Sequence, residues 1–201
     1  EILRGLVGSE MCIRDSVQFI EDNAFNNDRT LTKATLPSSL ISIGNSAFFN
    51  ARSLTEIDIP EGVRSIGRNA FSLPGQDSSF SSLTHVNLPG SLNKIDMRAF
   101  AFNQKLEQVS FKAGLESIGM GAFRNTGISD LKLPDGLKTI GDTAFYNSKI
   151  DQLYLPSSVK SIGDVAFAET KIRELVIPEG METIGAAAFA YTPLELSLIH
   201  I

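Results

Sequence analysis

Few side chains in this 201-residue chain could do covalent or metal chemistry: two histidines and one cysteine stand out. His85 is isolated from His200 and Cys12 in the sequence. A single imidazole without a second His or thiolate beside it cannot supply the ligand set of a zinc site. Serines are plentiful, but none sits in a Gly-x-Ser-x-Gly context with a base to activate it. Gly119-Met120-Gly121 is a Gly-x-Gly that lacks both the third glycine of a dinucleotide fingerprint and the Lys of a phosphate loop. Asp and Glu are scattered, as on solvated faces. These residues predict a non-enzymatic chain with no catalytic centre, no metal and no cofactor.

The composition narrows the partners. Formal net charge is −5 and no block of Lys and Arg stands out along the sequence. That argues against nucleic acid, whose binders usually carry a basic face, and against an anionic membrane surface. No stretch approaches the ~20 apolar residues of a spanning helix, so no direct membrane insertion is expected. Cys12 is the only cysteine, which excludes an internal disulfide, and no Asn-x-Ser/Thr sequon occurs.

The elements that must position any functional residue come from a repeat. The apolar residue opening each unit recurs at Leu31, Leu54, Leu83, Leu106, Ile128, Ile150 and Ile172, at intervals of 23, 29, 23, 22, 22 and 22 residues. A half unit with Ile20, Ala24 and Phe25 precedes them, and a cut-off unit starts at Leu194. In the second unit, Ile57 and Ile59 alternate with Glu56 and Asp58, the period of a strand with one buried face. Pro60, without an N–H, ends the pairing. The turn that follows is Glu61-Gly62 here but Ser38-Ser39 and Ser157-Ser158 elsewhere, which predicts a type I-like turn that makes no strict demand for positive φ. Val63 and Ile66 point inward from a second extended piece, Gly67 breaks it, and Ala70-Phe71 are expected on a single helical turn. At the position of Gly67 two units have Asp96 and Glu21 instead; Asp tolerates a left-handed backbone and Glu does so less well, so a local distortion is expected in the half unit. The Phe recurs in every unit, from Phe25 to Phe189, and predicts an aromatic column inside the molecule. A lone unit cannot bury its inward residues, so coils must stack, and parallel strands in successive coils require right-handed crossovers.

The pattern Leu-x-x-Ile-x-Ile-Pro-x-Gly-Val-x-x-Ile-Gly-x-x-Ala-Phe resembles the BspA-type (Treponema-type) leucine-rich repeat, over about residues 17–196. The resemblance implies a leucine-rich-repeat coil with a parallel β-sheet on the concave face and short extended or helical-turn segments on the convex face. It also implies surface proteins that adhere to host or matrix glycoproteins, or protist proteins of unknown role. Family repeats often carry a Cys three places after the Phe. Here Ala51, Asn103, Thr126, Ser148, Thr170 and Thr192 stand there instead.

The two ends do not share the pattern. Residues 5–15 resemble the translation of a sequencing-library adapter, and residues 196–201 the matching read-through. Residues 1–16 and 197–201 are therefore read as foreign to the fold. On this reading Cys12 and His200 are not native, residues 1–16 should break the repeat geometry, and the native protein continues beyond both ends.

With no chemistry to place, the outward strand positions become the candidate site. One column runs Lys33, Glu56, His85, Gln108, Asp130, Gln152 and Glu174, and the next Thr35, Asp58, Asn87, Ser110, Lys132, Tyr154 and Val176. The frame around them is nearly invariant while they vary, as on a solenoid surface diversified to bind a protein. Tyr154 and Val176 are the expected apolar anchor, with Lys160 and Asp164 on the opposite side as bystanders. Two other roles are consistent with the repeats: the non-catalytic region of a larger enzyme, or a spacer. Six extra residues in the second unit fall within 72–82, a Ser- and Gly-rich loop bearing Phe80, expected to be a surface bulge.

Overall fold

Ile57 and Ile59 are buried while Glu56 and Asp58 are exposed, so the alternation read from the sequence is realised. The computed structural model describes residues 10–75 and 80–199, with backbone alone for 196–199. Residues 1–9, 76–79, 200 and 201 lie outside the described residues, and with them Leu3, Leu6, Val7, His200 and part of the inserted loop.

The chain is a parallel β-solenoid in which each coil contributes one strand to each of two sides. The first side holds β1 (Glu10–Cys12), β3 (Lys33–Thr35), β5 (Glu56–Asp58), β7 (His85–Asn87), β9 (Gln108–Ser110), β11 (Asp130–Lys132), β13 (Gln152–Tyr154), β15 (Glu174–Ile177) and β17 (Leu196–Ile199). The second holds two-residue strands: β2 (Phe19–Ile20), β4 (Ser42–Ile43), β6 (Ser65–Ile66), β8 (Lys94–Ile95), β10 (Ser117–Ile118), β12 (Thr139–Ile140), β14 (Ser161–Ile162) and β16 (Thr183–Ile184). The second side is one unbroken eight-stranded sheet. The first is bridged in groups, β1 to β9, β11 with β13, and β15 with β17, and the groups lie side by side. β1 falls within the segment read as foreign to the repeats, yet it pairs in register with β3, Met11 opposite Ala34, and Met11 and Ile13 pack on the core. β17 likewise pairs with β15.

All seven inward residues of the second unit, Leu54, Ile57, Ile59, Val63, Ile66, Ala70 and Phe71, are at most 5% exposed. The aromatic column is present. Phe25, Phe48, Phe71, Phe100, Phe123, Phe145, Phe167 and Phe189 stack with ring centroids 5.0 to 5.5 Å apart.

Three local expectations are corrected. No helical turn forms around Ala70-Phe71. Instead most coils carry two left-handed residues four positions apart, such as Asn23 and Asn27 with φ of 59° and 62° or Thr143 and Asn147 with φ of 52° each. This geometry closes tight turns, with Ala70 and Ser72 N–H groups donating to Gly67 and Asn69 at 3.2 Å. The intervening N–H groups of Asn69, Phe71 and Leu73 are aimed at the next coil, donating to Met97, Ala99 and Ala101 at 2.9, 2.7 and 3.1 Å. A helical turn would direct them along its own chain and lose that third ladder.

The turn after the proline takes two forms. Ser39 and Ser158 keep negative φ, but Gly62, Gly136 and Gly180 adopt φ of 106°, 96° and 79°, as a type II turn requires at that position.

In most coils the glycine after the second strand serves close approach to the coil below and not positive φ, while Asp96 holds the same place over Ile66 with a side chain. A Cβ on Gly163 would lie 2.4 Å from the Asp142 backbone nitrogen, and one on Gly67 2.7 Å from the Gly44 carbonyl carbon. Glu21 takes this place in the half unit without a positive φ.

Candidate functional site

The fourteen candidate residues are all exposed, and the ladders align them. Lys33 pairs in register with Glu56, Glu56 with His85 and His85 with Gln108. Asp58 aligns with Asn87, and Asn87 with Ser110. Asp130 aligns with Gln152, and Lys132 with Tyr154. Glu174 and Val176 follow on β15 beside them, while Thr35 opens the second column on β3. The inward frame leaves every one of these side chains pointing to solvent because successive strand residues alternate faces.

Several of these groups satisfy one another. Lys132 Nζ lies 3.0 Å from Asp130, and Asn87 donates its amide N–H to the Asp58 carboxylate. His85 Nδ1 sits 2.8 Å from the Thr84 hydroxyl, and among the described residues no group of three or more potential metal ligands forms. The described residues likewise include no helix long and apolar enough to cross a membrane.

The expected anchor pair lines a groove. Tyr154 is 75% exposed and Val176 56% exposed, and together with Gln152, Glu174, Pro178, Arg173, Asp151 and the strand residues beneath they bound about 550 Å³. Arg173 is held at 3.0 Å by Glu195, so its charge is already matched. Asp151 and Glu174 have no such partner among the described residues. The groove therefore offers an apolar patch beside two unmatched carboxylates. Asp151 and Pro178 carried no signal in the sequence, because they lie outside the alternating columns and join the groove lining only through the coil geometry.

Other recurring polar side chains are structural. The hydroxyls of Thr126, Ser148 and Thr170 donate to the carbonyl of the Phe three residues earlier at 2.8 to 2.9 Å, and Asn103 does the same to Phe100 at 3.0 Å. These residues hold the place three positions after the Phe, and they satisfy a buried carbonyl. Asp142 and Asp164 each accept a backbone N–H from the coil above, from Asp164 at 2.9 Å and Ala186 at 2.7 Å. Lys160 donates to the Gly180 carbonyl at 2.9 Å. Lys160 and Asp164, expected to be bystanders, thus brace the coil.

Comparison with known proteins agrees with this architecture. A family model described as the BspA type leucine rich repeat region matches in six copies, over residues 9–80 and 76–195. A leucine rich cell surface protein from Faecalibacterium prausnitzii superposes with TM-score 0.70 at 23% identity, covering 86% of this chain and 58% of that one. A leucine-rich-repeat protein of T. pallidum gives TM-score 0.68 at 24% identity, covering 81% of this chain and 76% of the other. One from Eubacterium ventriosum gives 0.54 at 19%, covering 94% and 59%. No curated protein matches the chain. The chain thus spans somewhat over half the length of two of these relatives, and the likenesses establish the fold. Repeat pattern, coil geometry and family model converge: the chain belongs to the BspA-type leucine-rich-repeat family.

Proposed function

We propose that the chain is a protein-binding module that engages its partner through the outward face of the first side, centred on the groove at Tyr154 and Val176. The observation that carries this is the groove itself. An exposed aromatic ring and an apolar neighbour border a groove on a face otherwise made of polar or charged groups. Large exposed aromatics at the centre of a patch are the residues that dominate protein interfaces.

The charges specify the partner further. The outward columns carry two lysines against four carboxylates, and the groove adds Asp151. A partner segment presenting an apolar side chain next to Lys or Arg fits both features. The structural relative from F. prausnitzii is called a cell surface protein, and on this reading the partner belongs to the class of surface or matrix glycoproteins, with adhesion as the role.

Hydrogen exchange on the complex with a captured partner tests the location. Slowed exchange should concentrate in residues 151–155 and 173–178. Protection confined to the second side would reject this face as the site.

A further inference from the structure

Read along the chain, the basic residues form no block, but the 29-residue unit brings two pairs together. The backbone N–H of Asn93 donates to the Arg64 carbonyl at 3.1 Å, Ser65 pairs in register with Lys94, and Asn69 N–H donates to the Met97 carbonyl at 2.9 Å. Arg64 and Arg68 on one coil are thereby set beside Lys94 and Arg98 on the next, and all four are exposed.

The acids near these cations are already engaged. Glu116 pairs with Lys138 at 2.9 Å and Glu61 with Lys112 at 2.9 Å. Asp96 accepts the Met97 N–H at 2.7 Å and lies 3.7 Å from Lys94. The side chains of Arg64, Arg68 and Arg98 make no ion pair or hydrogen bond among the described residues. Elsewhere on this side the lysines are used, Lys138 by Glu116 and Lys160 by Gly180. On a chain of net charge −5, three unmatched guanidiniums on adjacent rungs form a local positive site.

A row of hydroxyls runs through the same site. Ser42, Ser65, Ser117 and Thr139 occupy the outward position of successive second-side strands, with Lys94 in the middle of the row. Thr139 donates to Ser117 at 2.9 Å, which orients the row. Rungs ~4.8 Å apart are comparable to the length of a sugar ring.

From these features we infer that the second side binds a linear sulfated polysaccharide, with Arg64, Arg68, Lys94 and Arg98 taking sulfate groups and the hydroxyl row meeting sugar hydroxyls. Guanidinium suits sulfate because its planar donors can engage two oxygens at once. Duplex nucleic acid fits less well, because its binders neutralise a longer row of phosphates, about six to ten. Single strands require exposed aromatic platforms, and the patch has none. Anionic membranes are read by longer polybasic runs on helices. This site is on the side of the coil away from the Tyr154 groove and stands independently of it.

Binding of a size-defined heparin oligosaccharide to the full chain, measured by calorimetry over a series of salt concentrations, is the test. Saturable binding that weakens with salt is expected. The variant Arg64→Gln/Arg68→Gln/Arg98→Asn should lose at least about ten-fold in affinity, while Lys132→Gln on the other side keeps it. Asn is chosen at 98 because φ there is 55°, in the left-handed region Asn tolerates. If the triple variant does not fold, Arg64→Gln alone should still weaken binding and reduce its salt dependence. The inference fails if the oligosaccharide does not bind, if its desulfated counterpart binds equally, or if the folded variants bind like wild type. It also fails if duplex DNA or phosphatidylserine vesicles bind more tightly through the same arginines.

Discussion

Phe123 and Phe145 stack with ring centroids 5.4 Å apart and planes 8° from parallel, each ring fully buried between adjacent coils. The contact repeats along the column, so each inner ring has aromatic neighbours above and below. Removing one ring leaves a cavity between two coils that the regular backbone ladders keep from collapsing. Phe145→Ala is expected to cost ~3–5 kcal/mol, measured by denaturant unfolding. A loss within the range of ordinary surface substitutions, about 0.5 kcal/mol, would show that the column does not support the fold.

Gly163 lies against the coil below, where a Cβ would meet the Asp142 backbone nitrogen at 2.4 Å. Backbone cannot yield as a side-chain tip can. Gly163→Ala is therefore expected to destabilise by about 1–3 kcal/mol. Gly136→Ala should be destabilising for a different reason. Nothing lies within 4 Å of its Cβ position, but its φ is 96°. Comparing the two variants separates crowding from backbone strain. A thermally neutral Gly163→Ala would contradict the close-approach account.

Glu61 reaches across two coils. Its carboxylate accepts Lys112 Nζ at 2.9 Å and the backbone N–H groups of Gly90 and Ser91 at 3.1 and 3.3 Å. The Lys112 bond first, and then the Gly90 N–H, hold its pKa below the ordinary carboxylate value. A group with a lowered folded pKa stabilises the fold above its unfolded pKa, and that stabilisation fades as pH falls through the folded one. The stability difference between wild type and Glu61→Gln should accordingly be constant near neutrality and narrow in acid. A difference that widens as pH falls would show that the clamp does not operate.

Asp164 holds a backbone N–H of the next coil. Asp164→Ala leaves that donor without its partner and is expected to cost about 1–2 kcal/mol. Thermal unfolding checks it. No measurable change would mean that water replaces the carboxylate without loss.

The period-two alternation around Ile57 and the recurrence of Phe71 made the coil, the buried frame and the outward columns legible in the sequence, because each rests on side-chain identity at a fixed spacing. The turn between Gly67 and Leu73 was not legible. Its left-handed positions hold Asn in several coils but Thr143, Val165 and Glu169 in others, since the inter-coil ladder imposes the backbone whatever the side chain. The role of Asp164 was hidden for a related reason, as its partner lies one coil away. At the candidate site, the prominence of Tyr154 and Val176 followed from their residue types on a polar strand face. The groove between them and the tethering of Arg173 by Glu195 depend on how coils are offset, which spacing alone does not encode.

Partner recognition through the Tyr154 groove is decided by one comparison of affinities. The most direct measurement is the affinity of a purified partner for wild type, Tyr154→Ala and Lys138→Ala, a second-side surface residue whose ion pair contributes little. Folding of each variant is confirmed by circular dichroism. Tyr154→Ala is expected to weaken binding by ~2 kcal/mol or more while Lys138→Ala leaves it unchanged. Binding that survives Tyr154→Ala intact and is abolished by Lys138→Ala would contradict it.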